Sequence, residues 1–326
     1  MSREAFVKAF QDDLAIRFPH GYQSWWHRFI FHFSDISNVT SILKSGKLYS
    51  RNKALELRLM ENDNASDEVI GNTELDAKDF VRFYFGSGTP TQFHNEGFKP
   101  KNKIQNNAHC PLPVFLLFDF VKLLAREDSH FSSGNIAANH ADIYTDIQDL
   151  SHLEFEHIYH RGYIPDELNT RHVVYCRHAE VLIPERVDIY DFLAYVCVRS
   201  QAEKDTLLHG LPIEIVETLN DKLLVRTNGL FEPRRLYVES VKLDNGQIKV
   251  LFSMATVDKY VFKTTVINLD TGARRERETG QVSLESKEVT IQLESEYRGD
   301  RLEFHLEIDG HLAYANTFTN DDELIF

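Results

Sequence analysis

The chain has 326 residues, enough for two ordinary domains, and its 42% apolar and 26% charged content is that of a globular protein. A formal net charge of −14, with both halves acidic, argues against avid, sequence-blind binding to duplex DNA. No window nears the roughly 18 uninterrupted apolar residues of a membrane span, and the first residues are charged throughout, so neither a span nor a secretory signal is expected. The three unevenly spaced cysteines, Cys110, Cys176 and Cys197, predict reduced thiols in a cytoplasmic protein rather than a disulfide framework or zinc site. In chain order, Phe6, Val7, Phe10 and Leu14 recur at helical spacing until Pro19-His20-Gly21 breaks the pattern. RFIFHF (28–33) reads as a buried strand. In DISNVTSILKSG, Asp35 or Ser37 caps a helix that Gly46 ends, and KLYS returns as a short strand delivering Arg51. Residues 53–78 are charged and predict an exposed loop. VRFYFG (81–86) is a strand, and the polar stretch 87–108 predicts a loop lying across a site. PVFLLFDF (113–120) is a strand or a strand running into a helix. RHVVYCRHAEVLIPERV (171–187) contains a strand that sets Glu180 among apolar neighbours, and DFLAYVCVRS (191–200) follows.

After about Ser200 the pattern changes. Residues 202–220 read as helical. From Lys222 onward strands of alternating polarity dominate, with Leu302, Phe304, Leu306 and Ile308 on one face and turn signals such as Asn245-Gly246 and Asp309-Gly310. Seven or eight such strands predict a β-sandwich without a catalytic motif. The expected division is therefore a catalytic domain over 1–204 and a β-rich accessory domain over 205–326.

The chain lacks the phosphate-binding G-x-x-x-x-G-K-[ST], a strand-bounded G-x-G-x-x-G and the G-x-S-x-G elbow, which removes the commonest nucleotide and hydrolase folds. His157-x-x-His160 and His109-Cys110 do not make a ligand quartet at zinc spacing, so no metal is expected. What stands out is a His (His32) and a hydroxyl (Ser34) at a strand end, a cation (Arg51) after the next strand, and a carboxylate (Glu180) on an apolar strand. Such a set suits chemistry on a sugar-phosphate ligand. Each residue also has an ordinary reading: a satisfied core His32, Asn38 within a helix cap, Arg51 as a surface residue at a strand end, Tyr84 in the core, and Glu180 on the polar face of an edge strand. The segment 152–172 mixes His157, Tyr159, His160, Arg161 and Arg171 with carboxylates. It is either a solvated loop or the stacking-plus-cation surface that grips an unpaired base.

These segments resemble, in order and spacing, those of DarT-type NAD-consuming ADP-ribosyltransferases. His32-Phe33-Ser34-Asp35-Ile36-Ser37-Asn38 is similar to the family's H-x-T-x-x-x-N opening, with Ser for Thr. Gly46 and Ser50-Arg51 match its Gly and Ser-Arg pair. Phe83-Tyr84-Phe85 matches an F-Y-F strand, and Phe131 to Ala138 resembles F-x-D-G-x-A-A, with Ser133 in place of Asp. Arg177-His178-Ala179-Glu180-Val181-Leu182-Ile183 resembles its final A-E-(F/V)-L-(V/I) segment. The resemblance spans roughly residues 29–200. It implies an α+β fold: an ADP-ribosyltransferase-like split mixed β-sheet with flanking helices, followed here by the β-sandwich-like domain. It also implies NAD as substrate, held by His32, Ser34, Asn38, Gly46, Arg51 and Tyr84, with Glu180 and Arg51 catalytic. Single-stranded DNA would be the acceptor, read by His157, Tyr159, His160, Arg161 and Arg171, in a toxin–antitoxin or phage-defence setting with an antitoxin partner. An RNA acceptor, a protein acceptor and a catalytically silent nucleic-acid-binding relative are the alternatives.

Overall fold

The computed structural model describes residues 1–59, 75–104, 108–136, 141–165, 168–225, 229–297 and 299–319. Helix α1 (Arg3–Arg17) is capped by Ser2, whose side chain accepts from the Ala5 amide, and it buries Val7 and Leu14 as the spacing predicts. After a 3-10 turn, β1 (Phe29–Asp35) enters the core. Asp35 then caps α2 (Ile36–Ser45), and Gly46 ends it in the left-handed region at φ 68°. Strand β2 (Lys47–Tyr49) leads to α3 (Arg51–Glu56), capped by Ser50, so Arg51 opens a helix rather than closing a strand. Of the loop expected over 53–78, residues 60–74 lie outside the described residues.

Strands β3 (Phe80–Tyr84), β4 (Pro113–Asp119), β5 (His130–Ser132), β6 (Ile143–Tyr144), β7 (Glu180–Pro184), β9 (Leu193–Val198) and β10 (Leu223–Val225) join β1 in an eight-stranded sheet of order β10-β9-β4-β1-β3-β7-β5-β6. Only β10 and β9 run parallel to each other, so the sheet is mixed. Strands β1 and β4 pair along their full lengths, from Phe29↔Asp119 to Asp35↔Pro113. Between β1 and β3 a single pair, Phe31↔Tyr84, is in register. Beyond it the two strands part, and this split opens toward α2. A small ladder of β2 with β8 (Arg186–Asp188), together with the Ser50 amide donating 2.7 Å to the Glu185 carbonyl, ties the α2–α3 unit to the end of β7. The core is rich in aromatic rings: Trp26, Phe31, Phe83, Phe85, Phe115, Phe118, Phe131, Phe155 and Tyr159 are all buried.

Two expectations change. The stretch 87–108, of which 105–107 lie outside the described residues, is not wholly a loop. Thr89 caps a short helix, α4 (Pro90–Asn95), and Gln92 and Glu96 are buried against residues 230–232 because their polar atoms find partners there: Gln92 donates to the Leu230 carbonyl and Glu96 accepts from the Glu232 amide. The boundary expected at residue 204 falls inside the sheet's own connection. Helices at Gln201–His209 and Ile213–Leu219 carry the chain back to β10, which pairs with β9, since a parallel neighbour requires a crossover.

The C-terminal strands form separate sheets. β11 (Val238–Asp244), β12 (Gln247–Phe252) and β17 (Glu288–Gln292) make one; β15 (Arg274–Glu278), β14 (Phe262–Asn268), β18 (Arg301–Ile308) and β19 (His311–Thr319) make another; and β13 (Thr256–Tyr260) pairs with β16 (Val282–Leu284). Leu302, Phe304, Leu306 and Ile308 are all buried, as the period-2 reading requires. The β11–β12 and β18–β19 hairpins turn on Asn245-Gly246 and Asp309-Gly310, each with positive φ at both positions, the twist that suits a two-residue connection.

Candidate active site

Where β1 and β3 part, a cleft of about 220 Å³ is lined by His32 and Ser34 of β1, Asn38, Ser41 and Ile42 of α2, Tyr49, Arg51 and Ala54 of the β2–α3 unit, and Phe80 to Arg82 of β3. Four of the six residues expected to hold a dinucleotide, His32, Ser34, Asn38 and Arg51, thus share one cavity. The local reason is the strand–cap–helix turn. Asp35 accepts from the Ser37 amide (3.2 Å) and hydroxyl (2.9 Å), which starts α2 immediately after β1 and leaves the Asn38 side chain donating to Ser34 Oγ at 3.2 Å. His32 Nδ1 lies 3.0 Å from the Arg82 carbonyl. A carbonyl only accepts, so Nδ1 carries the proton and Nε2 is an acceptor. Burial lowers the His32 pKa, so the ring is neutral near pH 7.

The other two expected residues stand back from the cleft. Gly46 ends α2, and a Cβ there would meet the Tyr190 ring at 3.2 Å, so its role is the helix stop. Tyr84 lies directly across the β3–β7 ladder from Glu180. Burial pushes its hydroxyl up to about 12, and that hydroxyl meets the Glu180 carboxylate and Thr91.

Glu180 is fully buried at the start of β7 and does not line the cleft. Its link to the cavity is Arg82, which sequence reading did not single out. Arg82 lines the cleft and donates from Nε (3.0 Å) and Nη2 (2.6 Å) to Glu180 Oε1. Burial raises the Glu180 carboxyl, and Arg82, the Ile136 amide and the Tyr84 hydroxyl hold it back. Ser132, fully buried on β5, accepts from the Glu180 amide at 3.1 Å and donates to the Gly134 carbonyl at 2.7 Å. Gly134 is required where it sits: a Cβ would fall 2.3 Å from the Tyr175 ring, and the Tyr175 hydroxyl is 2.6 Å from Ser133 Oγ. The F-S-S-G segment therefore braces the base of the Glu180 strand.

The residues expected to read a nucleic acid divide. Tyr159 is core: it is 1% exposed and packs edge-on against Trp26, Phe18 and Phe155, so it presents no face to a base. His157 is half-buried against Glu154, and His160 Nδ1 is 2.6 Å from Arg177 Nη2. Arg171 is exposed in the first turn of the helix Thr170–Cys176. Arg161 stands 5.8 Å over the Trp26 ring and lines a groove of about 750 Å³ with Tyr22, Phe93, His94, Arg177 and Phe231. That mixture of rings and cations comes from five separate segments, which is why no local motif announces it.

Residues 31–226 match the family described as "ssDNA thymidine ADP-ribosyltransferase, DarT". Among curated proteins, none matches the chain. Among solved structures, the chain is similar to Thermus sp. 2.9 DarT in complex with ADP-ribosylated ssDNA, at 17% identity and a TM-score of 0.49, covering 63% of this chain and 96% of that one. The same Thermus protein in complex with carba-NAD+ and with NAD+ matches at 17% identity and a TM-score of 0.47, covering 63% of this chain and 98% of the other. No helix among the described residues is long and apolar enough to cross a membrane. With its site assembled at the parting of β1 and β3 and the match running over 196 of its residues, from 31 to 226, the chain belongs to the DarT family of ssDNA thymidine ADP-ribosyltransferases.

Proposed function

We propose that this chain moves ADP-ribose from NAD to a thymine of single-stranded DNA at the cleft between β1 and β3. The observation that carries the reading is the meeting of His32, Ser34, Asn38 and Arg51 in that one cavity, with Arg82 joining it to the buried Glu180. About 220 Å³ is less than the roughly 300–1,000 Å³ usual for ligand sites, so taking the whole dinucleotide requires the cleft to widen at the Arg82 wall that separates it from Glu180. In this reading Nε2 of the neutral His32 and the hydroxyl of Ser34 hold a ribose or the nicotinamide amide. Asn38 fixes Ser34, and Arg51 pairs with the pyrophosphate or lies against the incoming base.

The reaction breaks the bond from C1′ to the nicotinamide nitrogen, and neutral nicotinamide leaves with the bonding pair. Thymine in a nucleoside has one N–H, at N3. That nitrogen bonds C1′ and its proton passes to solvent. Positive charge builds on the ribose as the bond lengthens, and a carboxylate accepting from the 2′-hydroxyl strengthens its hold as that happens. Glu180 takes this role, and its pairing with Arg82 favours the ionised form against the cost of burial and aims the carboxylate. The base must be unstacked to be reached, so a single strand is the expected substrate. It is gripped by Arg161, Arg171 and the ring-and-cation groove, with His157 and His160 supporting the same segment.

We place the activity in a toxin–antitoxin or phage-defence setting in the cytoplasm, because lasting modification of DNA bases would harm a host lacking a neutralising partner. The C-terminal sheets would then dock that antitoxin or regulate the site. Incubating the full chain with labelled NAD and separate oligonucleotides tests the reading. Label is expected on thymine-containing single strands, reduced on the duplex, absent from strands without thymine, and down on the order of 100-fold or more in Glu180→Gln at unchanged folding. Label on RNA or protein alone, or on nothing, overturns it.

A further inference from the structure

Away from the cleft, the short helices α6 (Phe155–Ile158) and α7 (Thr170–Cys176) pack together, and Glu154, His157, His172 and Cys176 meet between them. One donor atom from each lies within 4.8 Å of all the others. Glu154 Oε2 is 2.9 Å from His157 Nδ1, Glu154 Oε1 is 2.7 Å from His172 Nε2, and Cys176 Sγ is 3.6 Å from that same Nε2. The two imidazoles stand edge to face, 5.2 Å apart. Both imidazoles can donate to Glu154, one to each oxygen, and the competition is at His172 Nε2, which the carboxylate and the Cys176 thiol both approach. His172 Nε2 has one in-plane position, which holds either a proton or a lone pair. With a proton it donates to Glu154, and the thiol gains no acceptor. With a lone pair it accepts from the thiol, and a carboxylate is left 2.7 Å from an unprotonated nitrogen. A cation in place of the proton serves all four groups at once.

We propose that Glu154, His157, His172 and Cys176 bind one transition-metal ion of the zinc class in a closed site that staples α6 to α7. Metal–ligand bonds of about 2.0–2.3 Å set the donors of a tetrahedral site roughly 3.3–3.8 Å apart. The contacts of 2.7–3.6 Å, which use both Glu154 oxygens, lie near that range and the donor separations stay within 4.8 Å, so closing on one ion takes outward shifts at the short contacts and inward shifts at the wide ones, each of about 1 Å. Two imidazole nitrogens, a sulfur and one carboxylate oxygen suit zinc and disfavour magnesium or calcium, which prefer oxygen alone. Four protein ligands leave no open position, so the ion is structural rather than catalytic. The ligands come as Glu-x-x-His, from the N-cap and the first turn of one helix, and His-x-x-x-Cys on one face of the next. Closing them ties the helix just before Arg161 to the helix that ends four residues before Glu180.

The test uses the full, untagged chain. After chelator-treated dialysis, elemental analysis is expected to find about one zinc per chain. Cobalt substitution is expected to produce the strong visible bands of a tetrahedral ion together with sulfur-to-cobalt charge transfer. The charge-transfer band marks Cys176, since the other cluster of possible ligands among the described residues, His209, Glu303 and His305, has no thiol. Cys176→Ser should abolish that band and lower zinc affinity, measured against a chromophoric chelator, by more than the roughly 10–100-fold that loss of an outer-shell partner costs. His157→Asn, at a side chain 24% exposed, should weaken zinc similarly with the circular dichroism spectrum unchanged. A folded wild-type chain with no bound metal and no cobalt spectrum overturns the proposal. So does zinc retained at full affinity in His157→Asn.

Discussion

At the scale of single residues, Arg82 and Glu180 matter most. Glu180 is fully buried and Arg82 is 28% exposed, so the pair straddles the wall between the core and the cleft. Removing one partner of a buried ion pair strands the other, which typically costs about 3–5 kcal/mol. Arg82→Ala is therefore expected to lower the urea-derived unfolding free energy by about that much, whereas Arg82→Met combined with Glu180→Gln should regain most of it and remain inactive. A double variant as unstable as Arg82→Ala would mean that the charges are not coupled. Glu180 could be singled out in the sequence because it leads the apolar run Val181-Leu182-Ile183 in a segment that resembles the family's A-E-(F/V)-L-(V/I). Arg82 could not: in V-R-F-Y-F it reads as the outward face of an alternating strand, and its partner is 98 residues away, across a ladder whose register local pattern does not contain. Tyr159 shows the opposite failure. Its neighbours are His157, His160 and Arg161, so composition suggests a recognition loop, yet the aromatic packing of Trp26 and Phe155 draws the ring inside.

At the scale of elements, the β1–α2 junction is the piece that local chemistry specifies best. D-I-S-N gives cap, helix start and the cleft-lining Asn38 within four residues, and Gly46 ends the helix where a side chain would meet Tyr190. Asp35 does three things at once: its Oδ1 accepts from the Ser37 amide and hydroxyl, and its Oδ2 faces the Leu112 amide at 3.4 Å. Asp35→Ala should cost about 1–2 kcal/mol in thermal or urea unfolding. Because the Ser34–Asn38 bond hangs on the same turn, that variant should raise KM for NAD more than it lowers kcat; an unchanged KM would detach this turn from dinucleotide binding. The stretch 87–108 was less legible, because Gly, Pro, Asn and Gln signal a loop whether the segment lies over a cleft or underneath another domain. What decides is long-range satisfaction of polar atoms, with Gln92 bonded to the Leu230 carbonyl and to Glu96.

At the scale of the whole molecule, the catalytic sheet and the C-terminal sheets are joined by a buried polar cluster rather than by a linker. Arg199, at the end of β9 and 1% exposed, donates to Glu203 and to the Pro111 carbonyl and lies 3.5 Å from Glu96, while Ser200 donates to the Val238 carbonyl at the head of β11. A composition change near residue 200 marks the shift from mixed to β-rich sequence. It does not mark a seam, because Arg199 and Glu203 look like an ordinary i,i+4 surface pair until Glu96 arrives from more than 100 residues upstream. Burial pushes Glu96 up to about 7 despite Arg199, so the folded chain holds a proton there that the unfolded chain, with its ordinary carboxyl, has released. The contribution of Glu96 to stability is thus largest below the ordinary carboxyl range, and it declines as pH rises through the window up to about 7. His109 and His178, each lowered to about 4 chiefly by burial, act in the opposite sense: protonation of the unfolded chain costs stability as pH falls below the ordinary histidine range. Glu96 is isolated from them by comparing the wild type with Glu96→Gln. Between about pH 5 and pH 7.5 the wild type should lose up to about 3 kcal/mol relative to the variant, read from urea unfolding at each pH. Parallel curves for the two proteins would show that Glu96 is already ionised in the fold, and that Arg199 outweighs the cost of its burial.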